Sequence, residues 1–537
     1  MIQTALQKAR QTYLPVLPSV LRDILNARCI RSEEKASVDP KIQTLFPLTS
    51  TQPLIRVEKG SKRNSRALQI GVVFSGGQAP GGHNVITGIC DAMQSLNPKS
   101  KLFGFLDGPG GIVAGKCKEL TKETLDDYRN QGGFDLIGSG RTKIETDDQL
   151  KASLETVKKM QLDGLIIIGG DDSNTNAAIL AEYFLKNGSS TKVIGVPKTI
   201  DGDLQNAYAA IPFGFDTACK IYSEIIGNIA RDVASAKRYF HFIKLMGRSA
   251  SHIVLECALS THPNMAIIGE EVAAQKQTLK SIVDSITDLV CKRAEIGKNY
   301  GVILIPEGLI EIIPECGLLI KELNQILAEA PSTPAASIPD KLTPPSRDLF
   351  SSFSETIQAQ LLLNRDPHGN VQLSMIETET LLMSLVGKEV EARVKSGATK
   401  AKFSPLRHFL GYEARAGYPS NFDCNYCYAL GFAATLLIDE GVTGYMACIS
   451  NLAKSLQDWE AVGVPLASLM KMETRKGKEK PVIEKTLVDL KGKSFAHFVK
   501  HRGDWSLQDD YLYPGPIQFF GDAASTERIP LTLSGAL

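Results

Sequence analysis

Between residues 67 and 197 the chain repeats one alternation, in which short continuous apolar runs are separated by segments with helical spacing. "ALQIGVVF" (67–74) precedes the helix-like "NVITGICDAMQSL", and "KLFGFLDG" is a second apolar run. "DDQLKASLETVKKMQ", amphipathic at helical period, leads into "GLIIIGG", and "NTNAAILAEYFLKN" leads into "KVIGVPK". Strands of this kind, separated by helices, form β-α-β units, and such units build a parallel sheet covered on both faces.

A second α/β set begins near Arg238: "RYFHFIKLMG" reads as a strand, "SASHIVLECALS" and "TLKSIVDSITDLVCKRAEIG" as helices, and "YGVILIPEG" as a strand. The pattern then changes. "CGLLIKELNQILAEA" is helical, but "PSTPAASIPDKLTPPSRD" (331–348) holds five prolines and cannot continue that helix. "TETLLMSLVGKEVEARVKSG" is helical again, and the α/β pattern resumes from "FLGYEARAGYP" through "GVTGYMACIS". The expected organisation is an N-terminal extension (1–65), a first α/β domain (66–235) and a second α/β domain (236–309 and 401–460). A helical, Pro-containing insertion (310–400) and a C-terminal segment (461–537) that packs back on the α/β domains complete it. The length of 537 residues accommodates this.

Sixty basic residues balance fifty-nine acidic ones, so no net field draws the protein to nucleic acid or an anionic membrane. The start is interrupted by Lys8 and Arg10, and the chain has no apolar run long enough to span a membrane. Cys424 and Cys427 form a lone C-x-x-C without further zinc ligands, and the ten cysteines read as reduced thiols of a cytoplasmic protein.

Chemistry concentrates where strands end, the place where open parallel sheets bind ligands. "SGGQAPGGHN" (75–84) can bring backbone N–H groups close to an anion through Gly76 and Gly77. "GGIVAGKC" (110–117) nearly matches a P-loop, but Cys117 stands where Ser or Thr should bind magnesium, so it carries little weight. "IIIGGDDSNTNA" (166–177) places Asp171 and Asp172 side by side at a helix start. One acidic residue caps a helix; two repel each other unless a cation shares the site, and magnesium is the cation that suits carboxylates together with phosphate oxygens. "VPKTIDGDLQN" (196–206) packs Lys198, Thr199, Asp201 and Asp203 into six residues. A carboxylate there can accept a hydroxyl proton and a lysine can neutralise a phosphoryl group, which points to phosphoryl transfer.

"SGGQAPGGHN", "GGDDSNTNA", "PKTIDGD", "LMGRSASH", "IPEG" and "GYEARAGYPSNFD" stand in the order found in phosphofructokinases, and the chain resembles their long, pyrophosphate-dependent branch. The resemblance covers roughly residues 67–460. It implies two Rossmann-like parallel-sheet domains, the first binding the phosphoryl donor and the second the sugar phosphate. It also implies Asp201 as the base that takes the 1-hydroxyl proton of fructose 6-phosphate, with Thr199, Ile200 and Asp203 beside the substrate. Asp171 matches the family's Mg2+ carboxylate, and Gly76, Gly77 and Arg141 match the donor-binding loops. Met246, Gly247, Arg248, Glu307, Tyr412 and Arg415 match the sugar-phosphate site, with Arg415 on the phosphate. One position departs from the pattern: ATP-using relatives carry a subunit-crossing arginine nine residues before Arg248, where this chain has Tyr239, so Arg238 or Tyr239 supplies that contact.

Two positions bear on the donor. ATP users have glycine where Asp172 and Lys198 stand; Asp172 fills and repels the place of a nucleotide's α-phosphate, and Lys198 adds a cation for the transferring group. The resemblance therefore implies reversible transfer from pyrophosphate to fructose 6-phosphate, giving fructose 1,6-bisphosphate and phosphate. It also implies a homodimer, with a tetramer or hetero-oligomer as alternatives. An ATP-dependent enzyme and a non-catalytic regulatory subunit are the competing readings. The second is disfavoured by the complete "TIDGD", and a lipid or NAD kinase is disfavoured by "MGR" and "GYEAR".

Overall fold

All six residues of Gly164–Gly169 are buried, because helices cover both faces of the strand they form. That strand lies inside a nine-stranded sheet in the computed structural model, which describes residues 5–33, 38–330, 334–363, 365, 371–475, 478–516 and 530–534. In chain order the strands are β1 (Ala27–Arg31), β2 (Ile55–Lys59), β3 (Gln69–Ser75), β4 (Lys101–Phe105), β5 (Cys117–Glu119), β6 (Gly164–Gly169) and β7 (Lys192–Pro197). They continue as β8 (Phe240–Leu245), β9 (Met265–Ala266), β10 (Gly301–Pro306), β11 (Pro405–Leu410), β12 (Tyr445–Ser450), β13 (Glu460–Pro465), β14 (Met470–Arg475) and β15 (Lys478–Ile483).

The large sheet runs β1-β2-β13-β12-β7-β6-β3-β4-β5. Its middle, from β12 to β4, is parallel, as the sequence predicts, and antiparallel strands close both ends. From β3 the chain goes to β4 on one side and to β6 on the other, so the strand order reverses at the β3–β6 pair. The open carboxyl ends at such a reversal form a crevice, and here they are Ser75–Gly77 and Gly169–Asp172. The β14–β15 hairpin pairs Met470 with Ile483 and belongs to the same unit.

The second sheet, β11-β8-β10-β9, is all parallel. The helices Pro314–Glu329 and Thr378–Lys395 of the predicted insertion form one apolar core with Phe242, Ile303 and Ile305 of this sheet. Buried Lys244 of β8 ties the insertion to the sheet, lying 3.1 Å from Glu379 and donating to the Ile376 carbonyl at 2.7 Å. Pro344 and Pro345 open a new helix, Pro344–Ser352, where the missing proline N–H is harmless.

The expected domain limits need correction. The first compact unit takes in residues up to Ala218 and also Ala414–Thr486; the second holds Cys219–Glu413 and described residues from Leu487 on. Strand β12, expected in the second domain, pairs with β7 in the first sheet, Tyr445 opposite Ile194. The cause is an open parallel edge: the Val193 amide donates to Thr443 Oγ1 at 2.9 Å, and the Gly444 amide donates to the Val193 carbonyl at 2.9 Å. Residues 1–65 are likewise more than an extension, since β1 and β2 continue the sheet through β13. Helix Asn421–Asp439 packs on helix Gly82–Leu96, and glycines make the approach close: a Cβ at Gly88 would run into the Tyr428 backbone.

Candidate active site

Three loops of the first unit are tied into one frame by short polar side chains. Ser173 donates to Ser75 Oγ at 2.7 Å, joining the end of β3 to the helix Asp171–Lys186. Asn174 donates to the carbonyls of Gly169 and Gly170, which holds the glycine turn before that helix. Asn176 exchanges two hydrogen bonds with the Ile144 backbone, fixing the segment that carries Arg141 and Lys143. These residues sit at the helix start, where Ser and Asn side chains have backbone partners within reach.

Gly76 adopts φ +87°, a left-handed conformation costly for any residue with a Cβ, and its amide donates to the Gly140 carbonyl at 2.9 Å. At Gly77 a Cβ would stand 3.0 Å from Arg415 Nη1, so a larger residue would shift that guanidinium by a few tenths of an ångström. The loop carbonyls face cations. Lys198 Nζ donates to the Gly77 carbonyl at 2.7 Å, and Arg415 donates to the Gln78 carbonyl at 3.2 Å. Arg141 lies on the same side, its Nη2 within 3.9 Å of the Gly77 Cβ position.

Lys198 follows β7 directly, and only 4% of it is exposed. Burial pulls its ammonium down to about 7, with Arg415 and Arg141 adding to the shift and Asp201 and Asp171 opposing it. The amide of Asp201 donates to Thr199 Oγ1 at 3.0 Å, which shapes the turn. Asp201 is buried, and its Oδ1 has no hydrogen-bond partner among the described residues. A buried carboxylate oxygen left in that state is suited to meet a hydroxyl or another polar group of a ligand. Burial and the neighbouring Asp201 push the Asp203 carboxyl up to about 6, against the pull of Lys485.

Lys485 had no motif to announce it. It follows β15, and its Nζ stands 3.6 Å from Asp171 and 3.4 Å from Asp203. The Thr486 amide anchors this stretch on the Asp203 carbonyl at 2.8 Å. Lys143 is a second cation outside the expected set, two residues beyond Arg141 in "GSGRTK" (138–143). It pairs with Asp172 at 3.1 Å. That pairing partly matches the negative charge that the sequence reading assigns to Asp172. Ile200 is fully buried, so its side chain belongs to the core and only its backbone is available at the site. The near P-loop "GGIVAGKC" is a short helix, Gly110–Ala114, ended by Gly115, and Lys116 pairs with Asp107 at 3.0 Å.

The donor set can be tested for magnesium. Among the described residues no group of three or more His, Cys, Asp and Glu side chains surrounds one point. Mg2+ does not require such a cage, since it is held by one or two carboxylates plus water and phosphate oxygens. Asp171, with Asp203 sharing the same lysine, fits that chemistry.

In the second unit Met246, Gly247, Arg248, Glu307 and Tyr412 stand at the carboxyl ends of β8, β10 and β11, whereas Arg238 and Tyr239 precede β8 at its amino end. Gly247, at φ +129°, donates its amide to Glu307 Oε2 at 2.8 Å, and Glu307 is buried. One Glu307 oxygen therefore holds the Met246–Arg248 turn in place. The Met246 amide donates to the Leu410 carbonyl at 3.0 Å and its side chain is buried, while Arg248 and Tyr412 are exposed. Arg238 is exposed, its guanidinium 5.5 Å from the Tyr239 ring centre.

Comparison with known proteins adds to this geometry. The phosphofructokinase family model matches residues 69–438. The chain is 49% identical to the pyrophosphate--fructose 6-phosphate 1-phosphotransferase of Porphyromonas gingivalis, over 99% of both chains. It is 51% identical to subunit beta 1 of the Arabidopsis thaliana enzyme of that name, over 98% of this chain and 93% of that one. The crystal structure of a pyrophosphate-dependent phosphofructokinase from Nitrosospira multiformis superposes with a TM-score of 0.55 at 15% identity, covering 83% of this chain and 93% of that one.

Proposed function

The chain belongs to the phosphofructokinase family, and from that premise we propose that it transfers a phosphoryl group from pyrophosphate to the 1-hydroxyl of fructose 6-phosphate, reversibly, giving fructose 1,6-bisphosphate and phosphate. The observation that carries the choice of donor is the pair Asp172 and Lys198. Asp172 is pinned by Lys143 beside the glycine turn, and buried Lys198 reaches over Gly77. The names of relatives about half identical over nearly the whole chain support the same donor.

In this reading Asp201 takes the proton of the 1-hydroxyl as attack on the phosphorus begins, its unpartnered oxygen being the acceptor. Lys198, Arg141 and Arg415 offset charge on the transferring group and on the phosphate that leaves. Mg2+, held through Asp171, would supply further charge neutralisation on the donor oxygens. Thr199, Asp203 and the backbone of Ile200 position the substrate, and Met246, Gly247, Arg248, Glu307 and Tyr412 hold the sugar phosphate. Arg238 or Tyr239 serves it from a neighbouring subunit in a homodimer. Ten free cysteines fit a reducing, cytoplasmic setting, and no described helix is long and apolar enough to cross a membrane.

A donor assay tests the proposal. Purified protein with Mg2+ and fructose 6-phosphate should turn over pyrophosphate and leave ATP unused; the reverse preference would refute it. Asp172→Gly should raise turnover with ATP by opening the space that Asp172 occupies. If ATP stays inert and pyrophosphate activity is unchanged, the role given to Asp172 is wrong.

A further inference from the structure

The N-terminal helix Ala5–Gln11 and the turn after it lie against the loop that follows Arg415. Arg10 is the centre of the contact. Its Nη2 donates to the Pro419 carbonyl at 2.6 Å and lies 3.8 Å from Cys424 Sγ, its Nε donates to the Asn130 carbonyl at 3.0 Å, and its guanidinium stands 5.1 Å from the Tyr418 ring centre. Asn130 returns the contact, its Nδ2 donating to the carbonyls of Arg10 and Tyr13 at 2.8 Å each. Asn130 is buried and held at φ 57°, so this turn is shaped for the task. Tyr13 Oη and the Val16 amide both donate to Asn425 Oδ1, at 3.0 and 2.7 Å.

These bonds knit three stretches distant in sequence, 5–16, 127–132 and 415–425. The backbone of Ala416 and Gly417 lies on Gly132, where a Cβ would collide with both carbonyls. Downstream, Ser420 and Asp423 are anchored in the core through Asp216 and Thr217. Between Arg415 and that anchor, Arg10 supplies a charged fork, and a charge-assisted hydrogen bond to backbone is among the stronger ways to hold a loop.

We propose that Arg10 is a positioning residue for Arg415, and that residues 5–16 are a strap setting the loop through which the protein grips the phosphate of fructose 6-phosphate. The inference rests on the proposed reaction for the role of Arg415; the contact itself does not.

The test compares full-length wild type, Arg10→Ala and Arg10→Lys by amide hydrogen exchange over 414–420 and by KM for each substrate. Arg10→Ala should speed exchange in that segment and raise KM for fructose 6-phosphate about tenfold, with KM for pyrophosphate within about twofold, the size expected for one lost charge-assisted bond. Arg10→Lys, which keeps the charge and loses the fork, should fall between; it carries the same test if Arg10→Ala does not fold. Exchange and KM for fructose 6-phosphate at wild-type values would overturn the proposal, as would equal rises in both KM values. If wild type fails to use pyrophosphate, the reaction is refuted, and the exchange measurement still decides whether the strap orders the loop.

Discussion

Lys198 should take up a proton when pyrophosphate binds. Its ammonium is buried beside Arg415 and Arg141, which brings it down to about 7 in the free protein. Pyrophosphate introduces several negative charges and should restore the charged form. For a group at about 7, roughly one molecule in ten carries the proton at pH 8, and roughly nine in ten at pH 6. Binding should therefore draw in about 0.9 proton at pH 8 and about 0.1 at pH 6. Calorimetry in two buffers of different ionisation enthalpy counts these protons, with Mg2+ present throughout. Lys198→Met keeps the length of the side chain and removes the titrating group. Subtracting the variant from wild type therefore cancels protons carried by pyrophosphate itself. The expected difference is large at pH 8 and nearly absent at pH 6. Equal uptake by both proteins at pH 8 would show that Lys198 is not the group that charges. A difference that persists unchanged at pH 6 would show that its ammonium is not depressed in the free protein.

Lys485→Met removes a cation that lowers Asp203, so the acid limb of the kcat/KM pH profile should move to higher pH, and Lys485→Arg should leave it near wild type; an unmoved limb in Lys485→Met would refute that role. Asp203 is raised to about 6, so the folded state binds its proton more tightly than the unfolded state, and stability falls as pH rises from about 4 to 6. Asp203→Asn should thus melt higher than wild type at pH 7.5, by at most ~3 kcal/mol, with the gap closing toward pH 4.5; scanning calorimetry at the two values decides it. Gly88→Ala should lower stability by about 1–3 kcal/mol in urea unfolding despite the better helix propensity of alanine, because its Cβ meets the Tyr428 backbone; a stabilised variant would contradict the packing.

Much of the site was legible because its requirements are local. Gly76 must take a left-handed turn, and Asp171 and Asp172 must open a helix, so strand, loop and helix start can be read from adjacent letters. The partners of those loops were not legible, because strand pairing is decided across the whole chain. "GVTGYMACIS" looks the same whether it joins the sheet just before it or the edge of β7, and the hydrogen bonds at Val193 choose β7. Lys485 was hidden for that reason, since only the β14–β15 hairpin brings it to Asp171. Arg10 was hidden too, as one of two basic residues that merely interrupt the start of the chain. Lys143 was within reach, since it ends the segment that already supplied Arg141.

The sheet that frames Asp171 and Lys198 has a consequence for how the chain is made. Val193 finds its partner Thr443 only 250 residues later, and β1 and β2 join the sheet through β13, which comes later still. On the ribosome, β7 and the loops beside it must wait with an open edge while Cys219–Glu413 of the second unit is synthesised. Such an edge invites pairing with another chain. The strands that close it, and Lys485 just behind them, emerge almost together, so the order of synthesis delivers the last sheet strands and the last cation of the site in one late step.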